Sequence, residues 1–187
     1  MLFVAITSIF ISGSAVFYSN SVTASDALPA AQAAALPGAR LAGQGVLRFW
    51  GLEIYQARLW VQPGFDAAQF AAHPLALELT YRRSFAASAI AERSIEEMRR
   101  QGPIDDAVAA QWQQALRAAL PDVQAGDRIT GLHRPGRGVQ FYYNGQPHGV
   151  VENAEFSRRF FGIWLAPQTS EPDLRQALLA QGRTAAP

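Results

Sequence analysis

Hydrophobic and polar positions divide the chain into stretches of two different periods. Leu41 to Val61 reads as strand structure: Ile54, Gln56, Arg58 and Trp60 alternate with Tyr55, Ala57, Leu59 and Val61, giving one wet and one dry face. Pro63-Gly64 ends it as a turn. Leu75, Leu77, Leu79 and Tyr81 alternate with Ala76, Glu78, Thr80 and Arg82, a half-buried strand. The period then lengthens. Ser84 is placed to cap a helix running to about Arg100, with Ile90, Ile95 and Met98 on its apolar side, and Gly102-Pro103 stops it. A second helix begins near Asp105, steps through Val108, Trp112, Leu116 and Ala119, and ends at Pro121. Strands return over Asp127 to His133 and through Val139, Phe141 and Tyr143. Asn144-Gly145 makes a hairpin turn, because both central residues of that turn need positive φ, and Pro147 to Val151 runs back. Asn153 caps a helix whose stripe is Phe156, Phe160 and Trp164. A capping box from Ser170 to Asp173, with Pro172 in its first turn, opens a last helix through Leu174, Leu178 and Leu179. Strands, two helices, strands and helices in that order predict an α+β fold on an antiparallel sheet.

With 49% hydrophobic residues, the 187-residue chain can build one core, and wholesale disorder is excluded. A formal net charge of +1 argues against a nucleic-acid partner. All 16 basic residues are Arg, which removes Schiff-base and Lys general-base chemistry. The absence of Cys removes disulfides, thiolate nucleophiles and thiolate metal sites. Met1 to Phe17 is almost wholly apolar or small, and Val22-Thr23-Ala24 follows it with small residues at the positions a signal peptidase requires. The expected organisation is a signal-peptide-like segment over residues 1–24, a linker over 25–39, one domain over 40–181 and a tail over 182–187. Such a protein is exported, to the periplasm in a bacterium, and meets a membrane only if the leader is left uncut.

Phosphate loops, HExxH, GxSxG and EF-hand patterns are absent. His73, His133 and His148 are isolated beside turns and read as solvated loop histidines, so no metal site or cofactor is expected. His133, Arg134 and Arg137 around Pro135-Gly136 read as a solvated hairpin tip. Arg48 stands among apolar residues in Gly43-Gln44-Gly45-Val46-Leu47-Arg48-Phe49-Trp50, where a guanidinium is costly to desolvate without an anion. It is either paired with Glu53 or another carboxylate, or it is an anion clamp in a pocket that Tyr55, Tyr142 and Tyr143 could line.

From Gly45 onward the chain resembles the chalcone isomerase-like family, in its bacterial branch. The resemblance rests on Gly45-Val46-Leu47-Arg48, on Ile54 to Val61, on the strand Leu75 to Arg83, on Ala125-Gly126-Asp127-Arg128-Ile129, on Phe160-Phe161-Gly162-Ile163-Trp164-Leu165 and on Asp173-Leu174-Arg175. It covers roughly residues 40 to 180, and the order and spacing of these segments carry it more than any one of them. It implies a large antiparallel sheet with α-helices packed on one face and a ligand cleft between. The plant enzymes of the family close a flavanone ring by attack of a phenolate on an enone, and the resemblance puts the phenolate-holding Arg at Arg48. The other site positions depart: the first Thr falls at Tyr55, the Tyr, Lys and Asn at about Ala86, Ala89 and Arg93, and the second Thr near Ile163. Preorganised donors of that kind often supply a factor of about 100 or more, so negligible chalcone cyclisation is expected. The expected role is binding of a small amphiphilic or anionic ligand, such as a fatty acid, with Arg48, Tyr55, Arg93 and Ile163 as ligand contacts and Arg48 as clamp. Two alternatives stand beside it: a lyase or isomerase using Arg48 and Tyr55 on another substrate, and a structural or partner-binding envelope protein.

Overall fold

The computed structural model describes residues 27–180. The leader read over residues 1–24 and the tail over 182–187 lie outside the described residues. Six strands form one antiparallel sheet in chain order: β1 (Arg40–Phe49), β2 (Leu52–Val61), β3 (Leu75–Tyr81), β4 (Arg128–Arg134), β5 (Gly138–Tyr143) and β6 (Gln146–Val151). Between β3 and β4 the chain leaves the sheet for α2 (Ala87–Arg99) and α3 (Asp106–Ala119); α4 (Ala154–Leu165) and α5 (Pro172–Leu178) follow β6.

Period two decides which face carries the core. Ala57, Leu59 and Val61 of β2, Leu75, Leu77, Leu79 and Tyr81 of β3, Ile129 of β4 and Val139 and Phe141 of β5 pack with the helical residues in one cluster. Phe156, Phe160, Phe161 and Trp164 of α4 stand over the middle of the sheet, where Gly131 leaves room for the Phe161 ring. Helices reach both sheet edges because the edge strands carry glycine at the contact. A Cβ on Gly43 of β1 would lie 2.2 Å from the Ala177 carbonyl oxygen of α5, and one on Gly149 of β6 would lie 2.4 Å from the Ala119 carbonyl oxygen of α3.

Several sequence expectations change. Residues 41–61 are a hairpin of two strands, with Trp50 and Gly51 at its turn, both at positive φ (52° and 78°). Inside the stretch read as a linker, a short helix α1 (Ala30–Ala35) forms, and Leu36 after it packs with Trp60, Ala76, Leu132 and Tyr142 on the sheet face away from the other helices. That face also buries Arg58 and Glu78, 3.8 Å apart, with the guanidinium 5.2 Å above the Trp60 ring. Ser84 does not cap α2. The Asp122 carboxylate accepts from the Ala87 N–H (2.8 Å), tying the start of α2 to the end of α3. The capping box at Ser170 is not formed either: Glu171 is the residue before α5, and Thr169 Oγ1 accepts from its N–H. Asp105 and Asn153 cap α3 and α4 as their sequence positions predict.

His133 is not a loop histidine. It is 2% exposed on the inner face of β4, between Ser157 (2.7 Å from Nδ1) and the Ala71 carbonyl (3.0 Å from Nε2), and its ring meets Phe161. Burial holds its pKa below the ordinary value; Nε2–H donates to the Ala71 carbonyl, and Ser157 Oγ lies between Nδ1 and the Gly138 carbonyl, to which it donates (3.0 Å).

Candidate functional site

A cavity of about 460 Å³ lies between the sheet and the α2 and α4 helices. Helical spacing builds one wall: Ala89, Ile90, Arg93, Ser94 and Glu97 are one face of α2, and Phe160, Ile163 and Trp164 one face of α4. The sheet supplies the floor with Leu47, Ile54, Tyr55, Leu79, Tyr81 and Ile129. Adjacent residues Ile54 and Tyr55 both reach it because the β1–β2 register slips. Leu47 pairs with Tyr55 and Arg48 with Glu53, leaving Ile54 as an extra residue of β2.

The same slip explains Arg48. Its side chain is 58% exposed, donates to Glu53 at 2.6 Å, and does not line the cavity. The reading of Arg48 as an anion clamp is therefore corrected. Beside the turn of the hairpin its guanidinium keeps its water and meets a cross-strand carboxylate, so no desolvation cost has to be met by a ligand. Tyr142 and Tyr143 do not line the cavity either. Tyr142 faces the opposite side of the sheet, and the Tyr143 hydroxyl donates to Asp127 (2.9 Å). Tyr55, Arg93 and Ile163 do line it, together with Ala89; Ala86 does not.

The polar groups of the cavity fall into two sets. On the solvent side, Arg93 is bound to Glu96 (3.0 Å) and Glu97 (2.5 Å). Glu171 faces the same opening, and its pKa is raised, first by burial and then by the Glu97 charge. One guanidinium thus shares the opening with two lining carboxylates. Deeper in, the Ser94 hydroxyl donates to the Ile90 carbonyl (2.7 Å) and the buried Glu97 carboxylate is held by Arg93, and beside them stand two phenols. Trp164 Nε1–H donates to the Tyr55 hydroxyl (3.0 Å), so the Tyr55 proton is left to point elsewhere. Tyr81, 4% exposed, stands edge-on to Tyr55 with centroids 5.9 Å apart, and its hydroxyl has no hydrogen-bond partner among the described residues. Burial raises both phenol pKa values well above the ordinary value of 10, so both hydroxyls stay protonated donors across the physiological range.

Tyr81 was legible as a strand residue but not as a site residue. Its signal is a hydroxyl that closes an inward row of leucines. An apolar chamber with two neutral donors and no nucleophile–base pair can hold a hydrogen-bond acceptor on an apolar body.

The match to the chalcone isomerase-like family runs over residues 23–180. The chain belongs to that family. The large antiparallel sheet with helices that the resemblance implies is, in this chain, the six-stranded sheet described above. Among individual relatives, an uncharacterized protein of Haemophilus influenzae is 26% identical over 136 residues, 72% of this chain and 65% of that protein, so the match spans less than two thirds of its length. In structure the chain is similar to a fatty-acid binding protein of Arabidopsis thaliana, with a TM-score of 0.58 over 76% of this chain and 87% of that one, at 13% identity; this likeness is one of fold.

Proposed function

We propose that this chalcone isomerase-like protein binds a small amphiphile, such as a fatty acid, in the cavity between sheet and helices and performs no reaction on it. The observation that carries this reading is the pairing of apolar walls with two inward phenol donors, one of them without a partner among the described residues. A hydroxyl that faces an apolar cavity with no protein partner leaves its proton for a ligand oxygen to accept. The cavity volume lies within the roughly 300–1,000 Å³ of small-molecule sites. The fatty-acid binding named for the Arabidopsis protein of the same fold supports the same direction.

In this reading the acyl chain lies against Leu79, Ile129, Phe160 and Ile163, and the head oxygen accepts from Tyr81 and Tyr55. Arg93 already serves Glu96 and Glu97, so the opening favours an uncharged acceptor over an ionised one. Native mass spectrometry of protein taken gently from cells should show a co-purifying amphiphile. After delipidation, Ile163→Trp should weaken displacement of a fluorescent fatty-acid probe by at least tenfold. A clean ligand-free mass together with no probe binding refutes the proposal.

The proposal includes export, supported by the apolar leader and Val22-Thr23-Ala24. N-terminal sequencing of the protein from cells should begin at Ser25. Catalysis is tested with a hydroxychalcone: enantioselective flavanone formed above the spontaneous rate would overturn the non-catalytic reading.

A further inference from the structure

The β1–β2 hairpin ends in a cluster that the core does not explain. Phe49, Trp50 and Leu52 are 63%, 90% and 50% exposed and adjoin one another around the turn. The turn needs positive φ at Trp50 (52°) and Gly51 (78°), a conformation that Asn or Gly adopts easily and a bulky side chain does not. A tryptophan here gives up turn stability and is not repaid by burial. Behind the tip, Arg48 and Arg82 share the single acid Glu53 (2.6 and 3.9 Å), and exposed Arg83 follows Arg82. The tip is therefore aromatic and aliphatic at its end and cationic at its base. Phe49 also lines the cavity, so the tip is continuous with the cavity opening.

We propose that this hairpin tip docks the protein on an anionic lipid surface. Phe49, Trp50 and Leu52 enter the boundary between headgroups and acyl chains, where tryptophan is favoured, and Arg48, Arg82 and Arg83 lie level with the phosphates. The excess of three guanidinium groups over one carboxylate selects a negative surface, and the apolar end selects a bilayer over a soluble polyanion. Docking stands on the hairpin alone. Its use, passing an amphiphile between bilayer and cavity beside Phe49, rests on the function proposed above.

The chain carries its own reporter. Trp60, Trp112 and Trp164 are buried, and no tryptophan lies in residues 1–26 or 181–187, so an uncut leader adds no signal. The full chain is mixed with phosphatidylglycerol–phosphatidylcholine vesicles whose acyl chains are brominated or not, and tryptophan emission is compared with that of Trp50→Phe. The parent should shift to the blue and be quenched by the brominated lipid, Trp50→Phe should lose most of that quenching, and the effect should weaken severalfold on pure phosphatidylcholine. Equal quenching of the two proteins would place the lipid beside Trp164 in the cavity, overturning docking while supporting the cavity. Quenching confined to Trp50 supports docking and counts against the cavity. Equal insertion into neutral vesicles overturns the charge argument. A blue shift that grows with protein concentration without vesicles assigns the tip to a second copy and overturns the proposal.

Discussion

The two cavity phenols should respond oppositely to loss of a hydroxyl. In Tyr55→Phe, Trp164 Nε1–H loses its acceptor in a buried setting. An orphaned donor of that kind costs about 1–3 kcal/mol. At about 2–4 °C per kcal/mol for a chain of this size, the ligand-free melting temperature should fall by roughly 2–12 °C. In Tyr81→Phe no protein hydrogen bond is lost, because its hydroxyl has no partner among the described residues. The ligand-free protein should therefore melt at the same temperature or slightly higher. Binding should separate the two differently. If Tyr81 donates to an uncharged head, the lost bond of about 0.5–1.5 kcal/mol lowers affinity roughly 2- to 13-fold. If the head is ionised, about 1.5–3 kcal/mol gives roughly 13- to 160-fold. The assay is calorimetric titration of delipidated protein with a fatty acid and with its methyl ester, beside thermal melts without ligand. A Tyr81→Phe variant that binds both ligands like the parent, or that loses several degrees of stability without ligand, refutes the assignment of Tyr81 to the ligand.

Arg48→Ala should leave amphiphile affinity within about twofold and change stability by less than about 1 kcal/mol, since it removes an exposed pair; a tenfold loss of affinity would restore the clamp. Gly43→Ala places a Cβ against two carbonyl oxygens of α5 and should cost about 1–3 kcal/mol or more. Hydrogen exchange should then rise at Leu174–Leu179 before it rises in the sheet. Burial holds the folded pKa of His133 below the unfolded value of about 6.5. As pH falls from that value toward the folded pKa, the unfolded chain takes up the proton first and stability falls. The raised Glu171 carboxyl acts oppositely just above its ordinary value of 4.5, so the comparison is with His133→Gln, whose melting temperature should decline less over the same range. Fatty-acid affinity should rise as pH falls toward the ligand's own pKa, while that of a methyl ester stays flat.

β2, β3 and β5 were legible because each carries an inward apolar row, and α2 and α3 because their apolar steps are three and four. What sequence reading missed shares a cause: a residue doing something unusual for its type. A tryptophan at positive φ hid the Trp50-Gly51 turn and merged two strands. A histidine at the end of β4 looked like loop chemistry, because the serine that satisfies it lies 24 residues away. An alanine-rich stretch with one buried Gln gave no amphipathic signal for α1. Arg48 among apolar neighbours suggested a desolvated cation, but Phe49 and Trp50 after it are themselves exposed at the hairpin tip. Of the aligned positions, Tyr55, Arg93 and Ile163 all line the cavity, whereas Tyr81 and Glu171 needed three-dimensional proximity to be noticed.

The order of the strands governs when the chamber comes into being. Six of its sheet residues belong to β1–β3, but its roof needs α4, and the seam joining the halves is the β3–β4 ladder, whose strands are separated by residues 82–127. Local hairpins close quickly and long-range pairings slowly, so β1–β2 and β4–β5–β6 should zip early and this seam last. An amphiphile then finds no half-built site to occupy. On the proposed function, the ligand binds only the finished molecule and should slow the seam's reopening.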